Sequence, residues 1–298
     1  MVLSWNGRED TLACLQSLRG VDAVCVDNGS TDGSAEAVAE RFPQVELVRN
    51  PENLGYAAGN NAGIRRALER GADWVWLLNN DVVADASAAS ELETAALARP
   101  DAGVLACKVY FAEPPDVLWY AGGRFNLLLG YSGRQDGYGR RDDGRWDGVR
   151  DVERATGAAM AVSREAIERA GPLDEDLFAY VEDVEWCLRI RRAGLAVVFV
   201  PGARVWHRVS ASTGGAGSAT SLYYDTRNTL VVCERYRPLP PGLRGLRRAA
   251  VIGAHLAQAA RPPSRAAAVA VLAGWRDFRR GRLGPRSTRG RPSRGAAA

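Results

Sequence analysis

Short apolar runs alternate with helical stripes along the first half of the chain. Val24–Val26, Val45–Val48, Trp74–Leu78 and Val104–Val109 read as strands, while Leu12, Leu15 and Leu18 form one helical stripe and Ile64 with Leu68 another. The alternation predicts an α/β domain, a mostly parallel sheet covered by helices. Met1-Val2-Leu3-Ser4 leaves only a stub of strand before Trp5-Asn6-Gly7, so either that strand is short or the chain starts late. Further on, Val197–Val200 and Arg204-Val205-Trp206 are strand-like, and Leu173–Arg189 contains a helical segment. Residues 249–260 and 266–273 are alanine- and valine-rich helical patterns split by Arg261-Pro262-Pro263.

Polar clusters follow three successive strands, where open α/β sheets bind their ligands. After Val24-Cys25-Val26 comes Asp27-Asn28-Gly29-Ser30-Thr31-Asp32-Gly33-Ser34, whose short side chains suit a turn and a helix cap near Ser34. Asp27 lies directly at the strand end, where a carboxylate accepts hydrogen bonds from a base N–H or a ribose hydroxyl. The second cluster, residues 49–63, is dense in Asn and Gly; small residues there let backbone approach a ligand, and a helix from about Ala57 aims its N-terminus at an anion. The third is Asn79-Asn80-Asp81, an oxygen-rich triplet suited to a hard divalent cation that in turn holds a diphosphate. Turn chemistry accounts for any one of them alone. Three at consecutive strand ends point to a ligand crevice.

Composition narrows the setting. The chain has 298 residues, 46% of them hydrophobic, enough to bury a large core. The net charge of +4 comes mostly from arginines between Arg276 and Arg294, so the body is near neutral. Five scattered cysteines with no CxxC pair fit reduced thiols, against a disulfide framework or a zinc cluster. No run offers the ~18 to 20 apolar residues of a spanning helix, and the start lacks a signal-peptide layout, so a cytoplasmic protein is expected.

Taken in order, WNG (5–7), VDNGSTDGS (26–34), NPENLGYAAGNNAG (50–63) and LLNNDV (77–82) resemble the nucleotide-sugar half of family-2 glycosyltransferases with the GT-A fold, and more narrowly the bacterial rhamnosyltransferase-like branch. The likeness continues through residues 155–194, Val205-Trp206-His207 and Tyr223-Tyr224-Asp225-Thr226-Arg227-Asn228, covering roughly residues 2 to 230. It implies a GT-A domain over 1–235, with 1–110 as the nucleotide-sugar half and 111–235 as the acceptor half. By this resemblance Asp27 contacts the nucleobase, and Asn6, Asn28, Ser30, Asn53, Gly55, Asn60 and Asn80 line the nucleotide. Asp81 becomes the metal-binding acid of a DxD-like motif holding Mg²⁺ or Mn²⁺. Asn79 stands where that motif's first acid is expected. His207 is implied as a metal or diphosphate contact, and Arg189, Arg227 and Asn228 as phosphate or acceptor contacts.

Glu182 and Asp183 open a helical pattern, where acids are favourable. Read alone, this is a charged helix face with Glu185 and Arg189 paired four apart. The resemblance makes Asp183 the base that deprotonates the acceptor hydroxyl, with Glu182 as the alternative. The activity implied is inverting transfer of a sugar, L-rhamnose from dTDP-rhamnose foremost, to a saccharide acceptor that is lipid-linked, in cell-surface glycan synthesis. Other donors on the same fold are UDP-galactofuranose, UDP-glucose and UDP-N-acetylglucosamine. A non-catalytic nucleotide-sugar-binding protein is the reading of another class, and it would have no reason to keep both Asp81 and Asp183. A nucleotidyltransferase is the third; Trp5-Asn6-Gly7-Arg8 is a poor version of the basic glycine-rich loop it needs.

Beyond Asn228 the resemblance thins. Residues 236–285 read as a helical extension in which aromatics mixed with arginines suit the inner membrane surface, with no nucleic-acid motif. Residues 286–298, rich in Arg, Gly, Pro and Ser, are expected to be a disordered basic tail.

Overall fold

The computed structural model describes residues 1–132, 135–209, 217–261 and 264–286. Their strands are β1 (Val2–Ser4), β2 (Val24–Asp27), β3 (Glu46–Arg49), β4 (Trp74–Asn79), β5 (Val82–Ala84), β6 (Ala102–Phe111), β7 (Leu118–Tyr120), β8 (Phe125–Asn126), β9 (Tyr131–Ser132), β10 (Arg150–Asp151), β11 (Ala159–Ser163) and β12 (Ala196–His207). The helices are α1 (Arg8–Ser17), α2 (Ser34–Arg41), α3 (Gly55–Glu69), α4 (Ala88–Ala98), α5 (Arg164–Ala170), α6 (Glu182–Arg192), α7 (Ala219–Tyr236), α8 (Pro241–Ala259) and α9 (Arg265–Arg279).

The main sheet runs β10-β12-β6-β11-β4-β1-β2-β3, with β5 beside β12 and β7 beside β6. Strands β3, β2, β1 and β4 are parallel, as the alternation of strands and helices predicts, and so are β6 and β12. Between these two sets lies β11, antiparallel to both neighbours. Its reversal matters for the site, because the N-terminal end of an antiparallel strand meets the C-terminal end of its parallel-set neighbour. Ala159 therefore pairs with Leu78, and the segment before it, residues 155–158, lies at the crevice end of the sheet. All of β6 but its last residue is buried, as expected of a central strand covered on both faces.

The two strand-like runs near residue 200 form one strand, β12, with a register shift between Val200 and Arg204 around Pro201-Gly202. Proline and glycine interrupt the ladder without ending it, since a bulge absorbs the missing donor. Beyond the bulge β12 pairs with β5 and sets His207 opposite Val82, the neighbour of Asp81.

Helices α7, α8 and α9 pack together through Leu222, Ala259, Ala267 and Val271. The chain after α9 returns to the body: Gly284 N–H donates to Asp176 O at 2.6 Å and Arg286 N–H to the Tyr224 hydroxyl at 2.8 Å. Pro262-Pro263 and the expected tail from 287 onward lie outside the described residues. All five cysteines are free and buried. Among the described residues no helix is long and apolar enough to cross a membrane.

Candidate active site

A chain of hydrogen bonds joins the strand-end clusters. At the end of β2, Ser30 N–H faces the Asp27 carboxylate at 3.3 and 3.4 Å. Ser30 Oγ accepts from Asn6 N–H at 2.8 Å, and Asn6 Oδ1 accepts from Thr31 N–H at 2.9 Å, with Asn6 held at a left-handed φ of 58°. Asn80 donates to Asn6 O and to Thr11 Oγ1, both at 2.9 Å. The β1, β2 and β4 ends are thus tied side by side. Asn28 serves the next loop: it donates to Asn53 Oδ1 and Gly55 O and accepts from Asn50 Nδ2 and Leu54 N–H.

Several residues expected to line the nucleotide have their polar groups occupied inside the protein. Asn28, Asn53 and Asn80 act as ties between loops, and Asn60 Nδ2 bonds Tyr56 O within α3. Gly55 has a φ of 86°, and a Cβ there would meet the Phe178 ring and carbonyl at 2.5 and 2.6 Å. The glycine is needed for protein packing, whatever it does for a ligand. Asp27 is buried with only the long Ser30 contacts on its oxygens.

Asp81 and His207 come together from residues 126 positions apart in sequence. His207 Nε2 lies 3.1 Å from Asp81 Oδ1, both side chains are buried, and Trp119 packs edge-on against the imidazole at 4.8 Å. His207 Nδ1 has no hydrogen-bond partner among the described residues, and the polar neighbour of Asp81 Oδ1 is His207 Nε2 itself. Two donors about 2.1 Å from one octahedral cation and at right angles sit about 3.0 Å apart, so the separation fits a shared hard cation. No group of three or more His, Cys, Asp or Glu surrounds such a point among the described residues. The protein would provide two ligands, leaving the rest to diphosphate oxygens and water.

The acid pair enters from the other side. Asn79 N–H donates to Ala158 O at 3.0 Å, Gly157 N–H to Asp183 Oδ2 at 2.9 Å, and the Tyr56 hydroxyl to Gly157 O at 2.6 Å. A peptide segment before β11 therefore connects the Asn79–Asp81 turn to Asp183. Val184 N–H reaches Asp183 Oδ1 at 2.7 Å, so both Asp183 oxygens accept backbone hydrogen bonds and the carboxylate is fixed in place. Glu182 is its opposite. Its Oε2 is buried without a partner, and burial, with the Asp183 charge alongside, pushes its carboxyl well above the usual range. Burial beside Asp183 likewise pushes Asp225 up to about 7.

The backbone leading into this pair is strained. Phe178, Tyr180 and Val181 take φ values of 65°, 66° and 71°, costly for non-glycine residues and most of all for β-branched valine. Asn228 holds the turn through the carbonyls of Leu177, Ala179 and Tyr180 at 2.9, 2.9 and 2.7 Å, and Arg227 Nη2 bonds Leu177 O at 2.9 Å.

The three residues expected to contact phosphate or acceptor, Arg189, Arg227 and Asn228, all have protein partners. Arg227 is fully buried, with its guanidinium also on Gly284 O and Asn228 Oδ1, and Asn228 is committed to the turn. Arg189 pairs with Glu185 at 2.8 Å and bonds the Ala170 and Pro172 carbonyls. In each arginine all three guanidinium nitrogens have a protein acceptor. Sequence reasoning assigned no role to Tyr56, Gly157 or Asp225. Gly157 and Asp225 lie inside the motif stretches, but nothing in a one-dimensional pattern shows that they meet Asp183.

Comparison with known proteins shows the family and the fold. The model of "Glycosyl transferase family 2" matches residues 2–169. An N-acetylglucosaminyl-diphospho-decaprenol L-rhamnosyltransferase of Mycobacterium tuberculosis is 32% identical over 67% of this chain and 70% of its own. The dTDP-rhamnosyl transferase RfbF of Shigella flexneri is 25% identical over 71% and 70%. Among solved structures, GalNAc-T7 with UDP, GalNAc and Mn²⁺ superposes with a TM-score of 0.61 at 15% identity, over 84% of this chain and 53% of that one. The present chain spans about half the length of that transferase, and at that identity the likeness concerns the fold.

Proposed function

Starting from the chain's membership of glycosyl transferase family 2, on a GT-A fold, we propose that it is an inverting, metal-dependent enzyme using a nucleotide-sugar donor and a lipid-linked saccharide acceptor. The observation that carries this is Asp183, a carboxylate fixed by Gly157 N–H on the same peptide segment that bonds the Asn79–Asp81 turn. Asp27 would accept hydrogen bonds from the nucleobase, and Asp81 with His207 would hold Mg²⁺ or Mn²⁺. When bound, the cation supplies Lewis-acid stabilisation of the leaving diphosphate. Asp183 takes the acceptor hydroxyl proton as that oxygen attacks the anomeric carbon from the face opposite the diphosphate. The bond from the anomeric carbon to the phosphate oxygen breaks in the same displacement, and the configuration inverts. Glu182, neutral and buried, is a poor proton acceptor.

Donor identity follows the relatives' names: the two described above are an L-rhamnosyltransferase and a dTDP-rhamnosyl transferase, which favours dTDP-rhamnose over UDP-galactofuranose, UDP-glucose and UDP-N-acetylglucosamine. A thermal-shift panel of these four donors, with and without Mn²⁺, should show the largest metal-dependent shift for dTDP-rhamnose. For the base, Asp183→Asn should lower the acceptor-dependent rate by about 10²- to 10⁴-fold while leaving the donor dissociation constant nearly unchanged. Glu182→Gln should cost less. A full rate in Asp183→Asn with a large loss in Glu182→Gln would transfer the role to Glu182. Full rates in both would remove this helix from the chemistry.

A further inference from the structure

Arg154 is a buried cation that no described residue pairs with. Its residue is 6% exposed, its Nε has no hydrogen-bond partner, and among the described residues no carboxylate or carbonyl reaches its guanidinium. Every other deeply buried arginine or lysine described here has a carboxylate or carbonyl on its charged end: Arg227 three carbonyls and Asn228, Lys108 Asp142 and Asp147, and Arg247 Glu234 and two carbonyls, although its Nε, like that of Arg154, has no partner. An uncompensated buried charge is expensive to desolvate, and proteins keep one where a ligand completes it.

The residue is also firmly placed. Arg154 N–H donates to Gly123 O at 3.3 Å, Arg154 O accepts from the Tyr120 hydroxyl at 2.5 Å, and the next peptide N–H, of Ala155, donates to Cys187 Sγ at 3.3 Å. Gly123 makes room for the side chain: a Cβ there would stand 2.9 Å from Arg154 Nε and 3.1 Å from Cζ. Two residues along the same segment from Ala155, Gly157 binds Asp183. The Arg154 and Asp183 charges both act on the Tyr120 hydroxyl and the Cys187 thiol, in opposite directions, so cation and carboxylate border one small region without pairing.

We propose that Arg154 is a substrate-binding residue that takes a phosphate oxyanion beside Asp183. The assignment rests on the transferase reading for its ligand, because the reaction proposed brings phosphate from two sources, the nucleotide-sugar donor and a diphosphate-linked acceptor. A planar guanidinium with free donors suits either.

The test is binding of inorganic diphosphate in EDTA, which silences the metal site, to wild type, Arg154→Met and Arg154→Lys, followed by calorimetry and thermal shift. The wild type should bind, Arg154→Met should lose at least tenfold in affinity, and Arg154→Lys should retain part of it. The melting temperature of Arg154→Met should not fall, since an unpaired buried charge has been replaced by an apolar chain. Equal affinity in wild type and Arg154→Met, no binding to the wild type, or a destabilised Arg154→Met with unchanged affinity would each overturn the proposal. Two further arms identify the source. Weaker dTDP binding with Mn²⁺ in Arg154→Met assigns the donor phosphate, whereas a raised KM for a diphosphate-linked acceptor with dTDP binding unchanged assigns the acceptor's. Diphosphate binding through Arg154 in a chain that transfers no sugar would sink the transferase reading and leave this site standing.

Discussion

Glu182 and Asp183 are adjacent carboxyls with different fates, and hydrogen bonding decides between them. Two backbone N–H groups bond the Asp183 carboxylate, whereas Glu182 has a buried oxygen without a partner, and burial beside Asp183 pushes its carboxyl well above the usual range. Asp81 is likewise buried, with its Oδ1 3.1 Å from His207 Nε2, a pair of donors that Mg²⁺ or Mn²⁺ would share. Asp81→Ala should abolish transfer and remove any Mn²⁺-dependent thermal shift by dTDP. His207→Ala should weaken that shift while leaving metal-free nucleotide binding unchanged. Titrating Mn²⁺ against each variant checks both, and a His207→Ala variant with wild-type Mn²⁺ affinity would remove the imidazole from the metal site.

At the level of elements, α7 supports the turn that leads into α6, the helix carrying Asp183. Asn228 clamps three carbonyls of a turn whose residues are held at positive φ, and that turn delivers Asp183 at the start of α6. Asn228→Ala should cost about 1 to 3 kcal/mol in stability through unsatisfied buried carbonyls. The released turn should also misplace Asp183, where about 1 Å of error is enough for a rate loss on the order of 10²-fold. Denaturant melts beside kcat and donor affinity test this, and an intact rate would mean that the turn holds its shape unaided. Helices α8 and α9 present a different surface. Leu243 and Leu246 on α8 and Val269 and Leu272 on α9 are 48% to 69% exposed, with each pair three residues apart on one helix face. Arginines such as Arg276, Arg279 and Arg280 accompany them, the combination expected of a peripheral membrane contact. Leu243→Glu with Leu246→Glu should reduce sedimentation with anionic vesicles and leave the melting temperature nearly unchanged. Undiminished sedimentation would rule out the α8 face.

For the molecule as a whole, the acid cluster couples the site to global stability. Asp225 and Glu182 keep their protons to higher pH folded than unfolded, so between about 4 and about 7 the folded state binds more protons and stability falls as pH rises. Asp225→Asn removes one such group. Its gain in melting temperature over the wild type should grow from pH 4.5 to pH 7.5 and then level off. A gain that is flat with pH would mean that Asp225 titrates normally.

The apolar rhythm of the chain was enough for the α/β class, for β2 and β4 and their polar ends, and for the placement of Asp27, Asp81 and Asp183 at loop or helix starts, because period and turn chemistry are local properties. The Glu185–Arg189 pair was legible for the same reason, being one helical turn apart. Other features depended on contacts distant in sequence. The antiparallel insertion of β11 brings Gly157 to Asp183, and the bulge in β12 carries His207 to Asp81. Whether an arginine meets a ligand or a neighbouring carbonyl is likewise invisible in sequence: every guanidinium nitrogen of Arg189 and Arg227 has a protein acceptor, whereas Arg154, unremarkable as a letter, has a buried Nε without a partner among the described residues. Hydrogen-bond satisfaction is a property of the packed interior, so only the tertiary structure decides it.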